Sequence, residues 1–171
     1  MQEQTGIVTL RGTPMTLIGA PLVEKKSPPD VQLLSNDLSP VRLSDYKGNI
    51  CLISAVPSLD TPICDMQTRR FNQETLQIGG HVRVLTISVD LPFAQKRWCG
   101  ASGLDHVITL SDHRETAFGI AYGVLMKEVR LLARSIFILD TSGILQYQQI
   151  VSEIGSEPDF NAALDALKQI V

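Results

Sequence analysis

The chain predicts a layered α/β domain, on three observations. The runs Ile50 to Val56 (ICLISAV) and Ser135 to Leu139 (SIFIL) are almost wholly apolar, as strands buried on both faces are. Helix-start signals fall between such runs, at Thr61-Pro62 and at Ser156-Glu157-Pro158-Asp159. A length of 171 residues with 44% hydrophobic content suits one globular domain, residues 1–171, with a sizeable core.

The elements follow in order. Gly6 to Leu10 and Met15 to Ile18 flank Arg11-Gly12-Thr13-Pro14 and predict an N-terminal β-hairpin. Gly19 to Pro29, rich in Pro, Gly and charge, predicts a loop, with short strands near Val31 to Leu34 and Val41 to Leu43. The Ile50 to Val56 strand leads into a helix over about Pro62 to Ile78. Val82 to Val89 (VRVLTISV) predicts another strand, followed by a helix over about Pro92 to Ala101 and a shorter one near Arg114 to Tyr122. Asp140-Thr141-Ser142-Gly143 is a short turn sequence, so Ser135 to Leu139 and Ile144 to Val151 predict a second hairpin. Phe160, Ala163, Leu164, Leu167 and Val171 then make one apolar stripe at helical spacing behind a cap at Ser156 to Asp159.

The chemistry is concentrated in Pro57-Ser58-Leu59-Asp60-Thr61-Pro62-Ile63-Cys64. Thr61 has the residue type of an N-cap, and Pro62 sits where its missing N–H costs nothing. Cys64 falls in the first turn, where free backbone N–H groups and the helix dipole favour an anion. The thiolate, not the thiol, is the nucleophile, so a cysteine in this position has a reactive reading beside the ordinary one of a small buried hydrophobe. Thr61, one turn away on the same side, can hydrogen-bond the sulfur or an oxygen substrate. The carboxyl end of a strand is also where open α/β sheets place their ligand sites.

Pro57-x-x-x-Thr61-x-x-Cys64 resembles the active-site motif of the peroxiredoxins. Asp90-Leu91-Pro92-Phe93-Ala94-Gln95-Lys96-Arg97-Trp98-Cys99-Gly100 is similar to the second-cysteine segment of their bacterial thiol peroxidase subfamily, the atypical two-cysteine peroxiredoxins. Val107 to Ser111 and Ala133-Arg134-Ser135 match that subfamily too, and the likeness runs from Gly6 to the C-terminus. It implies a thioredoxin-like fold, with a central mixed β-sheet flanked by helices and an N-terminal β-hairpin. It further implies a thiol-specific peroxidase that reduces hydroperoxides. Cys64 would be the peroxidatic cysteine, oxidised to a sulfenic acid, and Cys99 the resolving cysteine that captures it as an intramolecular disulfide. Arg134 would hold the thiolate and polarise the peroxide, and Pro57 would shield the sulfur and shape the pocket. Thioredoxin is the implied reductant and a homodimer the implied assembly. Since Cys64 and Cys99 are both expected on helices, closing the disulfide would require local unwinding.

Other features narrow the function by exclusion. Cys51 lies inside an apolar strand and is read as packing, its thiol pushed up by desolvation. Cys-x-x-Cys is absent, which weighs against a thioredoxin-type dithiol oxidoreductase. A passive redox switch, the other competitor, has no use for the peroxide-polarising pair Thr61 and Arg134. His81, His106 and His113 share no ligand spacing, so no metal is expected; without a phosphate loop or dinucleotide fingerprint no bound cofactor is expected either. Arg69 and Arg70 are read as solvated charge, with the option that one reaches the Cys64 sulfur. A net charge of −3 without a long Lys/Arg block gives no footprint for nucleic acid. Met1 to Thr9 lacks a secretory-signal pattern, and no apolar run nears the ~20 residues that span a bilayer, so a cytoplasmic location is expected.

Overall fold

In the computed structural model, residues 1–79, 81–104 and 107–171 are described. Seven strands form the central sheet in the order β10-β9-β5-β6-β7-β3-β4. Its middle is parallel: β5 (Ile50–Ala55), β6 (Val82–Ser88) and β7 (Val107–Ser111) are joined by α1 (Pro62–Ile78) and α2 (Pro92–Ser102). Its flanks are antiparallel, with β9 (Ser135–Leu139) and β10 (Leu145–Ile150) on one side, and β3 (Gln32–Leu34) and β4 (Pro40–Arg42) on the other. The sheet is therefore mixed and thioredoxin-like, as the resemblance implied.

Alternation along β5 divides the core. Cys51, Ile53 and Ala55 face one cluster, with Leu85, Leu110, Phe118, Tyr122 and Phe137. Ile50 and Leu52 face another, built from Phe71 of α1 and from Phe160, Ala163, Leu164 and Leu167 of α4 (Phe160–Lys168). Phe71 and Phe160 meet with ring centroids 5.2 Å apart, which fixes α4 against α1.

Several boundaries differ from the sequence expectation. The cap of α4 is Asp159, whose carboxylate accepts from the Ala162 amide at 3.0 Å, rather than Ser156. The helix ends at Lys168, and Val171 leaves the apolar stripe, 57% exposed. The helix expected over Arg114 to Tyr122 is only α3, Ala117–Ala121, because Thr116 takes φ 51 and cannot continue a right-handed turn into it. Asp112 caps α3 from a distance, accepting from the Phe118 and Gly119 amides at 3.0 and 2.8 Å. A 3-10 turn over Leu43–Tyr46 and a two-residue strand, β8 (Leu125–Met126), carry no sequence period long enough to announce them.

The N-terminal hairpin, β1 (Glu3–Leu10) and β2 (Thr13–Ile18), turns tightly at Arg11-Gly12, both with positive φ, so Pro14 lies in the strand and not in the turn. With β8 it makes a second, three-stranded sheet. Its tip is clamped by Glu153, whose carboxylate accepts from the Thr9 hydroxyl at 2.6 Å and from the Arg11 and Gly12 amides at 3.0 and 3.1 Å. Backbone bonds continue the clamp, from Thr9 N to Ser152 O at 2.7 Å and from Ile154 N to Thr9 O at 2.9 Å.

The Thr9 hydroxyl first, then the Gly155 and Gly12 amides, pull the Glu153 carboxyl down from 4.5 to about 2. The folded chain thus prefers the ionised form more than the unfolded chain does. Its contribution to stability is present above 4.5 and is lost as pH falls toward 2. Urea midpoints measured against pH should show Glu153→Gln below the parent at neutral pH, with the gap closing through that acid window.

Candidate active site

The site forms where β5 runs out. After Ala55, the segment Val56 to Thr61 crosses the carboxyl end of the sheet and turns into α1. Thr61 occupies the N-cap position, at φ −103 and ψ 145, with Pro62 following at the start of the helix. The first intrahelical bond runs from the Asp65 amide to the Thr61 carbonyl at 3.1 Å, so the Cys64 amide lies ahead of it among the free donors of the first turn. The Thr61 hydroxyl does not cap the helix: it donates to the Ser58 carbonyl at 3.2 Å. Pro57 is buried and Thr61 half-buried, while Asp60 is exposed at the rim.

Cys64 is 0% exposed and packs with Val56, Leu59 and the half-buried Trp98. The segment is held from below by Asp90, which accepts from the Ser58 hydroxyl at 2.7 Å, the Leu59 amide at 2.8 Å and the Ser88 hydroxyl at 2.7 Å. Trp98 is fixed in turn by its indole N–H, which donates to Asp65 at 3.0 Å and ties α2 to α1.

Register brings in the arginine. Ala55 of β5 faces Ser135 of β9, so Arg134 arrives beside the end of β5 although it lies 70 residues from Cys64 in the chain. It is 2% exposed. Its three nitrogens are divided among three acceptors: Nη2 donates to the Cys64 Sγ at 3.4 Å, Nη1 to the Gln67 Oε1 at 2.8 Å, and Nε to the Ile154 carbonyl at 3.0 Å. None of these partners is a carboxylate. The sulfur is the only one of the three that can itself become an anion, and hydrogen bonds to an anionic acceptor are the stronger kind.

Sequence reasoning missed Gln67 and Ser54. Gln67, 0% exposed and one turn beyond Cys64 on the same helix face, donates its amide to the Ser54 hydroxyl at 2.7 Å while its oxygen receives Arg134. That second bond settles which way the Gln67 amide points. The available signal was the pair of polar residues, Ser54 inside the apolar ICLISAV run and Gln67 at i+3 from the cysteine.

The remaining candidates separate clearly. Arg69 pairs with Asp65 at 2.8 Å and reaches the Ser102 carbonyl at 3.3 Å, and Arg70 lies over the Phe160 ring at 4.2 Å, so neither contacts the Cys64 sulfur. Cys51 is 4% exposed, and burial pushes its thiol up to about 11, as its place in the apolar strand predicted. Cys99 is half-buried on α2 and faces β7, its Sγ 3.4 Å from the Thr109 hydroxyl. All three cysteines are free thiols. His113 contacts the Ser111 hydroxyl at 3.0 Å, the His81 carbonyl receives the Ile50 amide at 2.7 Å, and His106 lies outside the described residues. Among the described residues no group of three or more metal-ligating side chains comes together. No described helix is long and apolar enough to cross a membrane.

Comparison with known proteins follows the same lines. The chain matches the Redoxin family over residues 23–164. It is 53% identical over 163 residues to the thiol peroxidase of Staphylococcus haemolyticus, covering 95% of this chain and 98% of that one. Against the thiol peroxidase of Staphylococcus aureus the identity is 55% over 163 residues, with the same coverage of 95% and 98%. A crystal structure of a peroxiredoxin-like protein from Aquifex aeolicus superposes with a TM-score of 0.87 at 35% identity, over 98% of this chain and 99% of that one.

Gln67→Leu leaves a buried guanidinium one acceptor short and a buried hydroxyl without its donor. It should lower the unfolding free energy by about 1–3 kcal/mol, read as a lower urea midpoint with an unchanged slope, and slow the reaction of Cys64 with a small electrophile.

Proposed function

The chain belongs to the Redoxin family and is a thiol peroxidase of the peroxiredoxin superfamily; from that premise we propose that Cys64 is its peroxidatic cysteine and Cys99 its resolving cysteine, acting within one domain. The observation that carries the reading is the buried Arg134 guanidinium, which donates to the Cys64 sulfur at 3.4 Å and has no carboxylate among its partners.

The Cys64 sulfur attacks the terminal oxygen of a hydroperoxide. The S–O bond forms as the O–O bond breaks, and the leaving oxygen takes a proton and departs as water or an alcohol. Arg134 supplies fixed donors where negative charge moves from sulfur to oxygen, an arrangement that needs little reorganisation during reaction. The Thr61 hydroxyl, now on the Ser58 carbonyl, can turn to the peroxide, and Pro57 with Leu59 keeps bulk water off the sulfur. Hydrogen peroxide and organic hydroperoxides are both within this chemistry.

Cys64 is left as a sulfenic acid. The Cys99 sulfur attacks it, forming the S–S bond, breaking S–O and releasing water. A dithiol reductant, thioredoxin on the subfamily resemblance, returns two electrons and two protons. The same resemblance supports a homodimer.

The orientation of the two thiols bears on resolution. Cys64 packs under Trp98, whereas Cys99, the next residue along α2, faces β7 and meets Thr109. Disulfide closure is accordingly read as local unwinding of α2 or the first turn of α1, and amide exchange around Cys64 and Cys99 should accelerate on oxidation.

Substitution of the cysteines tests the assignment. With thioredoxin and hydrogen peroxide, Cys64→Ser should consume no peroxide above background. Cys99→Ser should complete one turnover and stop, and Cys51→Ser should retain most of the rate. Sustained peroxide consumption by Cys64→Ser would overturn the reading.

A further inference from the structure

We propose that Thr109 and Asn36 are positioning residues that latch Cys99 in its docked place and thereby set the rate at which Cys64 sulfenic acid is resolved. The inference rests on Cys99 acting as the resolving cysteine and goes beyond it, to what holds that thiol back.

Three side chains from three separate elements close a ring around the Cys99 sulfur. The Thr109 hydroxyl of β7 donates to the Asn36 Oδ1 at 2.9 Å. A hydroxyl has one proton, so the 3.4 Å contact between Thr109 Oγ1 and Cys99 Sγ is an S–H donated to Thr109. Asn36 Nδ2 points back at the sulfur from 4.0 Å. Each member both donates and accepts. A sulfur that has given up its proton no longer closes the ring, yet that is the form which attacks a sulfenic acid.

Asn36 is presented from a braced turn, which makes the latch rigid on the sheet side. Between β3 and β4, the Leu38 amide donates to the Ser35 carbonyl at 3.0 Å and the Ser35 amide to the Ser39 carbonyl at 2.9 Å. The Asp37 carboxylate accepts from the Ser35 hydroxyl and, at 3.1 Å, from the Ser39 amide. The movable partner is α2: Cys99 leaves only if its helix lets go of β7. Resolution then proceeds through a small open population, and each ring bond that survives in the docked form lowers that population.

The latch also sets a competition. While Cys99 is docked, a second hydroperoxide can oxidise the Cys64 sulfenic acid to sulfinic acid, adding an oxygen to sulfur and releasing water or alcohol. A tighter latch lengthens that exposure.

Trp98, the only tryptophan, lies beside both cysteines and reports each step as a fluorescence phase after mixing with hydrogen peroxide. Thr109→Val keeps the shape but removes the hydroxyl, and Asn36→Ala removes the other half of the ring. Both should speed the slow resolving phase by roughly three- to tenfold, the worth of one or two modest hydrogen bonds. The sulfinic acid formed at high peroxide, read by mass, should fall in step. Thr109→Ser should restore the parent rate, which a purely structural role for Thr109 would not predict. A slow phase unchanged or slowed in both Thr109→Val and Asn36→Ala would overturn the latch. A parent protein in which no Cys64–Cys99 disulfide forms would overturn the assignment of Cys99, and the latch with it.

Discussion

A permanently charged group with almost no access to water is the constraint around which this molecule is arranged. An uncompensated buried charge is penalised by several kcal/mol, well beyond the ~1 kcal/mol net worth of a single neutral hydrogen bond. Arg134 must therefore be answered by its surroundings, and the answers come from distant parts of the chain. Ile154 offers a carbonyl because the N-terminal hairpin pins the 152–154 segment. Gln67 offers an amide oxygen because Ser54, pointing from β5 to the helical side of the sheet, holds the other end of that amide. The third acceptor is the Cys64 sulfur, and an anion there balances the charge that carbonyl dipoles only soften. The contact between Arg134 and the Cys64 sulfur thus belongs at once to the fold and to the candidate site.

Two of the three thiols are deeply buried, in different surroundings. Cys51 and Cys64 are both almost fully enclosed. Cys51 belongs to the cluster of Phe137, Leu139 and Tyr122, its sulfur lies 3.9 and 4.0 Å from two backbone carbonyls, and desolvation raises it to about 11 against the opposing pull of Arg83. Cys64 has a helix start behind it and a guanidinium in front. Burial is thus common to the two thiols, and what differs is the set of groups that touches each sulfur.

Much of this was legible in the order of residues. The unit β5–α1 is fully local: an apolar run, a Thr-Pro start and an uninterrupted helical stretch, and α1 spans Pro62–Ile78 as the sequence predicts. Arg134 was marked only through the family motif, because its partners are set by strand register across 70 residues, which no local pattern encodes. Ser54 and Gln67 escaped for the same reason: each is an ordinary polar residue until sheet and helix are packed. Shorter elements failed differently. Asp159 overrode Ser156 as the cap of α4 because it lies directly before Phe160, where the apolar face begins, and β8 with two residues is defined by its partner strand, not by its own composition.

The strand order has a consequence for the life of the polypeptide before it is complete. β9, which carries Arg134 to the site, inserts between β5 and β10, and the carbonyl that secures Arg134 belongs to residue 154, near the end of the chain. The βαβαβ portion, residues 50–111, contains both Cys64 and Cys99 but not Arg134. A nascent or partly unfolded chain that lacks β9 and residue 154 thus has a Cys64 sulfur without its Arg134 donor. The contact between Arg134 and the Cys64 sulfur is therefore completed only by the C-terminal strands, so that its presence reports that the long-range part of the fold has closed.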